Sequence, residues 1–290
     1  MTAAPFREGE RALLVDRKGR RYLVRLRAGR SFQSHAGVVE HDAIIGSAEG
    51  SQLEAWTGQG ERRDNAKYLA LRPTLADVVV GMPRGAQVIY PKDLGAILIA
   101  ADIFPGARVL EAGVGSGALS MALLRAGADV TGYELRADFA ERAMANVAAF
   151  LGGLGGLGGP GDAGCPGGPS GQGAAAGTPR YEVVERDVYE GIGLEDLDRI
   201  VLDLPEPWRV VPHAKKALRP GGIVCSYVPS VTQAEELRRE LAGSGFGLAE
   251  TFEVLQRTWH IEGRSVRPDL RMVGHTGFIT TARLLSLPQR

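Results

Sequence analysis

Alternation of apolar and polar positions near the N-terminus predicts β-structure. Two runs rich in Leu, Val and Tyr, Leu13–Val15 and Tyr22–Val24, flank the sequence Asp16-Arg17-Lys18-Gly19. Asp and Gly are typical turn residues, so residues 11–27 are expected to form a β-hairpin. Short strand-like runs continue to Leu71, and a linker-like stretch follows through Gly85. The pattern predicts a small β-rich domain over residues 1–78.

From about residue 90 the pattern changes to apolar strands that alternate with helices. Strands are expected at 108–110, 129–133, 181–185, 199–202 and 223–228, and helices at 91–104, 118–126, 137–150, 207–218 and 232–241. This alternation indicates a mostly parallel sheet covered on both faces. Two further strands, at about 247–257 and 276–285, are expected to close the sheet as an antiparallel pair. The pattern therefore predicts an α/β domain over residues 79–290.

One segment of this domain has a different composition. Residues 152–177 contain 13 glycines and a single charged side chain, Asp162. The segment has no aromatic and no β-branched residue, so it lacks the side chains that build a core. We interpret 152–179 as a flexible glycine-rich insertion.

The net charge of zero conceals an uneven distribution. The chain has 34 basic and 34 acidic residues, but residues 1–30 carry nine basic and three acidic side chains. Residues 255–290 carry six arginines and two acids, so both ends are basic and the middle is acidic. Clustered arginines suit a polyanionic partner. Solvated charge on strand surfaces is the alternative interpretation.

Other compositional features narrow the class of protein. Two cysteines, Cys165 and Cys225, do not make a disulfide framework. The N-terminus has no signal-peptide pattern, and the longest apolar stretch is far below the ~20 residues of a membrane span. We expect a cytoplasmic protein that does not bind a membrane.

A glycine cluster marks the first candidate binding site. The sequence Glu111-Ala112-Gly113-Val114-Gly115-Ser116-Gly117-Ala118 lies at a predicted strand-to-helix turn. Gly113 would allow the tight turn, and Gly115 would let a ligand approach the backbone at the helix N-terminus. Glu134 ends the next strand, where such folds place a carboxylate on a ribose hydroxyl. Both a dinucleotide and S-adenosylmethionine (AdoMet) fit this cluster.

The second constellation favours AdoMet. Asp203-Leu204-Pro205-Glu206-Pro207-Trp208 follows an apolar strand, which places Asp203 at the carboxyl end of a central strand. A carboxylate with two prolines and an aromatic ring suits a planar base, and an NAD enzyme has no evident use for it. Capping of the following helix by Asp203 is the structural alternative.

These motifs resemble those of one known family, the bacterial and archaeal tRNA (adenine, position 58) N(1)-methyltransferases. The resemblance covers about residues 90–278, and the small N-terminal domain fits it as well. Its motifs are Tyr90-Pro91-Lys92-Asp93, Val109–Ala118, Tyr133-Glu134, Asp203–Trp208, Ser226–Gln233 and Val273–Phe278.

The resemblance implies a Rossmann-like class I methyltransferase fold, AdoMet as cofactor and tRNA as substrate. It also implies a homotetramer, and no metal. Residues 113–119 would wrap the methionine part of AdoMet, with Ser116, Gly117, Ala118 and Leu119 closest. Glu134 would hold the ribose, and Phe139 and Asp187 the adenine ring. Asp203 would lie between cofactor and target base, and Tyr90 and Tyr227 would line the base pocket.

Three other functions stay open at this point. The protein could be a methyltransferase for another base or for an isoaspartyl carboxylate, an NAD-dependent oxidoreductase, or a tRNA-binding subunit without activity. The last is disfavoured because the glycines, Glu134 and Asp203 are all present. His260 and His275 are not in metal-ligand spacings, so we expect structural roles for both.

Overall fold

The computed structural model describes residues 4–35, 37–56, 62–82, 84–85, 87–151 and 179–286. The predicted glycine-rich insertion, 152–179, lies outside the described residues except for Pro179. The chain divides into two compact units, one up to residue 83 with the end of a later helix from Ala148, the other from Arg84 onward.

The first unit is a six-stranded antiparallel sheet followed by one helix. Its strands pair in the order β2-β1-β6-β5-β4-β3. The predicted hairpin is present, with Leu13 opposite Leu23, and the Asp16 side chain accepts hydrogen bonds from the N–H groups of Lys18 and Arg20, both at 2.9 Å. The strands are β1 (Arg11–Asp16), β2 (Arg21–Arg25), β3 (Ser31–Ser34), β4 (Gly37–Glu40), β5 (Gln52–Trp56) and β6 (Arg62–Leu71).

Helix α1 (Leu75–Gly81) occupies part of the stretch that the sequence indicated as a linker. A capping box begins it: the Thr74 side chain accepts from the N–H of Asp77, and the Asp77 side chain accepts from the N–H of Thr74. Such a cap satisfies N–H groups that have no partner inside the helix. The predicted domain boundary after residue 78 lies inside α1, whereas the compact units divide after residue 83.

The second unit is the expected mixed sheet with helices. Its strands pair in the order β12-β15-β11-β10-β7-β8-β9; β15 is antiparallel to both neighbours, and the other neighbouring pairs are parallel. The strands are β7 (Arg108–Ala112), β8 (Asp129–Glu134), β9 (Tyr181–Glu185), β10 (Leu197–Leu202), β11 (Leu218–Val228), β12 (Phe246–Phe252) and β15 (Phe278–Leu284). The helices are α2 (Pro91–Ala100), α3 (Ala118–Arg125), α4 (Ala137–Leu151), α5 (Val211–Ala217) and α6 (Val231–Gly243). The predicted fold class is confirmed.

Several predictions of element bounds were wrong. Strand β11 begins at Leu218 rather than 223, and the helix expected over 207–218 is a 3-10 turn followed by α5. Helix α2 ends at Ala100 rather than 104, because Asp102 has a φ of +49°, which does not continue a helix. The buried Arg199 of β10 donates to the carbonyls of Ala101 and Asp102 at 2.5 and 3.0 Å. Pro105 also disfavours helix at the residue before it. The strand expected at 247–257 ends at Phe252, and an unpredicted hairpin, β13 (Trp259–Glu262) and β14 (Ser265–Pro268), follows.

Candidate active site

The turn between β7 and α3 needs glycine for three different reasons. Gly113, Gly115 and Gly117 have φ of +86°, +56° and +81°, a region that other residues rarely adopt. A Cβ on Gly113 would collide with the backbone carbonyl of Asp203, so this glycine lets the loops after β7 and β10 pack together.

The other two glycines differ in what they face. A Cβ on Gly117 would press on the Ala143 carbonyl and the Val147 side chain of α4, both at 3.2 Å. A Cβ on Gly115 would meet only the Gly113 carbonyl oxygen, at 4.0 Å. Gly117 therefore serves helix packing, whereas Gly115 leaves open space beside the backbone. Ala118 and Leu119 are buried in the first turn of α3.

Glu134 lies beside this open space. One carboxylate oxygen, Oε2, accepts from the N–H of Gly115, and the other, Oε1, accepts from the N–H of Arg136, both at 3.0 Å. The neighbouring Leu135 is 63% exposed. No sequence motif marked Leu135, an exposed apolar residue directly after a candidate ribose ligand.

Glu111 is fully buried at the end of β7. Its Oε2 accepts from the Ser120 hydroxyl at 2.6 Å, and Ser120 accepts from the Tyr181 hydroxyl at 3.1 Å. Its Oε1 has no hydrogen-bond partner within the described residues, and the same holds for the buried hydroxyl of Ser116. Burial, together with the charges of Asp203 and Glu134, raises the pKa of Glu111 to about 8.

Asp203 directly follows β10. Its N–H donates to the Ala112 carbonyl at 2.9 Å, and Gln233 Nε2 fixes the same loop by donating to the Pro205 carbonyl at 2.8 Å. In the described part of the chain, no group donates a hydrogen bond to the Asp203 carboxylate. Burial raises the pKa of Asp203 to about 7. A carboxyl group with unused acceptor capacity thus lies next to the glycine turn.

Asp187 and Phe139 have partners of their own. Asp187 accepts from the N–H of Tyr189 at 2.8 Å and so caps a short 3-10 turn. Phe139 is buried in α4, with the Arg136 guanidinium 4.1 Å from its ring centre. Contact of these two residues with an adenine ring stays a prediction.

The two predicted base-pocket tyrosines belong to different elements. Tyr90 is half-buried at the start of α2, and Tyr227 is buried near the end of β11. Burial and the charges of Asp93 and Asp203 raise the pKa of Tyr227 to about 12, so it is a neutral phenol at neutral pH. Strands β10 and β11 are adjacent and parallel, with Leu202 opposite Ser226, so Asp203 and Tyr227 follow the same pair of residues at this edge of the sheet.

The chemistry of this site fits a cationic cofactor. Glu111, Glu134 and Asp203 surround a glycine turn with open space at Gly115, and a buried oxygen of Glu111 has no hydrogen-bond donor among the described residues. Carboxylates attract a sulfonium or ammonium group, whereas they repel the pyrophosphate of a dinucleotide. The residues present therefore fit AdoMet better than NAD.

Comparisons with known proteins agree with this assignment. The family described as "TrmI-like N-terminal" matches residues 5–52, and the family described as "tRNA methyltransferase complex GCD14 subunit" matches residues 67–149 and 180–269. The chain belongs to the TrmI family of tRNA methyltransferases. This confirms the resemblance that the motifs indicated.

Relatives match over nearly the whole chain. The tRNA (adenine(57)-N(1)/adenine(58)-N(1))-methyltransferase TrmI of Methanocaldococcus jannaschii is 35% identical, over 94% of this chain and 94% of its own. The tRNA (adenine(58)-N(1))-methyltransferase TrmI of Thermus thermophilus is 33% identical, over 93% and 95%.

Solved structures show the same fold. TrmI of Aquifex aeolicus, a tRNA (m1A58) methyltransferase, superposes with a TM-score of 0.77 at 25% identity, over 98% of this chain and 100% of its own. A SAM-dependent O-methyltransferase of Thermotoga maritima gives a TM-score of 0.83 at 27% identity, over 99% and 97%. Both units of the present TrmI-family chain thus have counterparts in solved structures.

Two kinds of feature are absent from the described residues. No helix among them is both long and apolar enough to cross a membrane. No group of three or more His, Cys, Asp or Glu side chains in the described ranges could hold a metal ion.

Proposed function

We propose that this protein transfers the methyl group of AdoMet to N1 of adenine 58 in the T-loop of tRNA, which gives 1-methyladenosine. The observation that carries the proposal is the match, over more than nine-tenths of the chain, to relatives named for this reaction. The acidic site at the ends of β7, β8 and β10 supports it with chemistry that suits a cationic methyl donor.

The cofactor site consists of the glycine turn and the surrounding carboxylates. Bound there, AdoMet supplies an electrophilic methyl group on sulfur. Residues 113–119 would wrap its methionine part, and its positive charge would favour the ionised form of the buried Glu111. Glu134 accepts from the ribose hydroxyls, and Phe139 and Asp187 flank and hydrogen-bond the adenine ring.

Asp203 acts on the target base. Ring nitrogen 1 of adenine has an in-plane lone pair, so it can attack the methyl group directly and needs no strong base. Methylation makes the base cationic. The Asp203 carboxylate accepts from the exocyclic amine, orients the ring and stabilises the developing positive charge. Its free acceptor capacity is available for this contact.

The target adenine must leave its stack to reach the site, which costs a few kcal/mol. Stacking on aromatic side chains offsets about 1–3 kcal/mol per base. Tyr90 and Tyr227 supply these side chains, one from the start of α2 and one from the end of β11. Their position on two elements would hold the base from two sides.

The basic ends of the chain bind the tRNA backbone. Arg25, Arg27 and Arg30 are exposed in the first unit, and Arg264, Arg267 and Arg271 are exposed in and after the β13–β14 hairpin. Exposed arginines contact phosphates without regard to sequence and release counterions.

The protein assembles as a homotetramer in the cytoplasm. Residues 253–277, here called the arm, lie between β12 and β15 and contain the β13–β14 hairpin. The arm exposes large apolar side chains, among them Trp259 at 58%, Ile261 at 72% and Leu270 at 95%. Large exposed apolar side chains on one segment favour a protein–protein interface, and a second copy of the chain is the expected partner.

The activity is tested by incubating the protein with AdoMet and an unmodified tRNA transcript, followed by nuclease digestion and mass spectrometry of the nucleosides. We expect 1-methyladenosine. Methylation of a different nucleoside only would refute the proposal. Binding of NAD in place of AdoMet in a calorimetric titration would refute the cofactor assignment.

A further inference from the structure

A buried ion pair lies at the start of α2, outside the cofactor site. The side chains of Lys92 and Asp93 are 3% and 0% exposed, with Lys92 Nζ 2.7 Å from Asp93 Oδ1. Lys92 Nζ also lies 2.6 Å from the Val254 carbonyl and 2.6 Å from Thr276 Oγ1. All three protons of the ammonium group therefore have acceptors.

Thr276 joins both members of the pair. Its hydroxyl accepts from Lys92 and donates to Asp93 Oδ2 at 2.6 Å. The Tyr227 hydroxyl lies 3.5 Å from the same Asp93 oxygen. Since Thr276 has a single hydroxyl hydrogen and uses it on Asp93, its loss would leave this carboxylate oxygen with the more distant Tyr227 alone.

Gly277 fixes the ring of Tyr227 from another side. A Cβ at this position would collide with the Tyr227 ring, so glycine allows the backbone to pass directly against it. The ring is thus held between the Gly277 backbone and the Asp93 carboxylate.

These contacts join three separate parts of the second unit. Lys92 and Asp93 belong to α2, Tyr227 belongs to β11, and Val254 and Thr276 are at the two ends of the arm. His275 adds to the same junction, because its ring nitrogens lie 2.8 Å from Glu253 Oε2 and 2.9 Å from the Pro229 carbonyl.

Stability alone is a poor explanation for such a pair. The cost of removing two charges from water often exceeds their attraction, and apolar side chains of similar volume can serve as well. The ion pair supplies instead a fixed orientation: short hydrogen bonds to one threonine and one carbonyl, and a longer contact with the Tyr227 hydroxyl.

We propose that the Lys92–Asp93 pair, acting through Thr276, is a positioning device that holds the Tyr227 ring for the target adenine beside Asp203. The proposal rests on the proposed function, in which Tyr227 lines the base pocket. Lys92, Asp93 and Thr276 do not touch the substrate in this account. They set the rate of methyl transfer through Tyr227.

Thr276→Val tests the proposal because it removes the hydroxyl and keeps the shape. We expect kcat on tRNA to fall about tenfold or more, as small misplacements of reacting groups do. The Kd for AdoMet should change less than about twofold, since the glycine turn is untouched. Thr276→Ser restores the hydroxyl and should recover most of the rate. Thr251→Val is the matched control, since it removes a hydroxyl pair with Thr280 in β12 and β15.

A double-mutant cycle with Tyr227→Phe separates positioning from general stability. If Thr276 acts through Tyr227, the rate losses of the two variants will not add, whereas independent effects would add. Tyr227→Phe alone should lower kcat and keep AdoMet affinity, which provides the test if Thr276→Val does not fold.

Three results would overturn the proposal: a wild-type kcat for Thr276→Val, a parallel loss of AdoMet affinity and kcat, or additive losses in the cycle. Failure of the proposed function is a different result, since wild-type protein would then leave tRNA unmethylated at adenine 58.

Discussion

The three carboxylates at the ends of β7, β8 and β10 are held in different ways, and this difference determines what each can do. Glu134 has both oxygens on backbone N–H groups, Glu111 has one oxygen on Ser120, and Asp203 has unused acceptor capacity. Glu134, whose two oxygens both accept hydrogen bonds from the backbone, suits a fixed contact with the ribose. Asp203, whose carboxylate has unused acceptor capacity, suits a contact with the target base, which enters the site from solution.

Asp203→Ala should separate catalysis from cofactor binding. Turnover is expected to fall about 10²–10³-fold, the range seen when a preorganised stabilising group is removed. AdoMet affinity measured by calorimetry should remain within a few-fold of the wild-type value. Asp203 contacts the glycine turn through its backbone, which the substitution keeps. Glu206→Gln, in the same loop with a half-exposed side chain that pairs with Arg209, is the control and should keep its rate. Near-normal turnover of Asp203→Ala would contradict the assignment.

Glu111→Gln should change how stability depends on pH. The folded-state pKa of Glu111 is raised from 4.5 to about 8 by burial, so the fold favours the neutral carboxyl group. Its contribution is fully present below pH 4.5 and is lost as pH rises through about 8. Glutamine stays neutral, so the variant should gain in Tm over wild-type at pH 9 and match it at pH 5.

The control for that measurement is Glu141→Gln on the exposed side of α4. The Tm of this variant should differ from that of the wild type by the same amount at pH 5 and pH 9. An equal Tm difference for Glu111→Gln at pH 5 and pH 9 would show that Glu111 is not a raised-pKa group.

At the scale of elements, the sequence predicted strands more successfully than connections. Every expected strand of the parallel sheet is present. Short, continuous apolar runs between helices are typical of strands that are buried on both faces of a sheet. Helix α1 was not predicted, although Thr74 and Asp77 carry a capping-box spacing that could have revealed it. The early end of α2 was also missed, because the left-handed conformation of Asp102 and its hydrogen bond from Arg199 of β10 form only in the folded chain.

Among the described strands, β13 and β14 pair only with each other, and they expose Trp259 and Ile261. Trp259→Ser combined with Ile261→Ser should remove exposed apolar area and leave the core intact. If the wild-type protein is the proposed tetramer, we expect light scattering after size-exclusion chromatography to show a smaller assembly for the variant. Glu262→Gln on the same strand is the control and should assemble normally. A double serine variant that remains a tetramer would show that the arm is not the interface.

At the scale of the whole molecule, the zero net charge is the sum of two basic ends and an acidic middle. The acidic part includes the carboxylates that suit a cationic cofactor, and the exposed arginines suit a polyanion. This distribution of charge could be predicted from the sequence because it depends only on composition and order along the chain. The hydrogen bonds among Lys92, Asp93 and Thr276 could not, because these residues are up to 184 positions apart.

Neutralising arginines should reduce the salt dependence of tRNA binding. One variant replaces Arg25, Arg27 and Arg30 by Gln, and a second replaces Arg264, Arg267 and Arg271. At least one should weaken tRNA binding and lower the slope of log Kd against log salt, by up to about 0.9 for each phosphate that an arginine no longer neutralises. Arg238→Gln with Arg239→Gln on α6 is the control. If both triple variants keep the wild-type slope, the basic ends do not bind tRNA.

The central claim is tested most directly by two tRNA transcripts that differ only at position 58, one with adenine and one with guanine, both with guanine at position 57. Each is incubated with the protein and AdoMet labelled in the methyl group. The account predicts close to one labelled methyl per adenine-58 transcript, recovered as 1-methyladenosine, and almost none in the guanine-58 transcript. Equal labelling of both transcripts would contradict it.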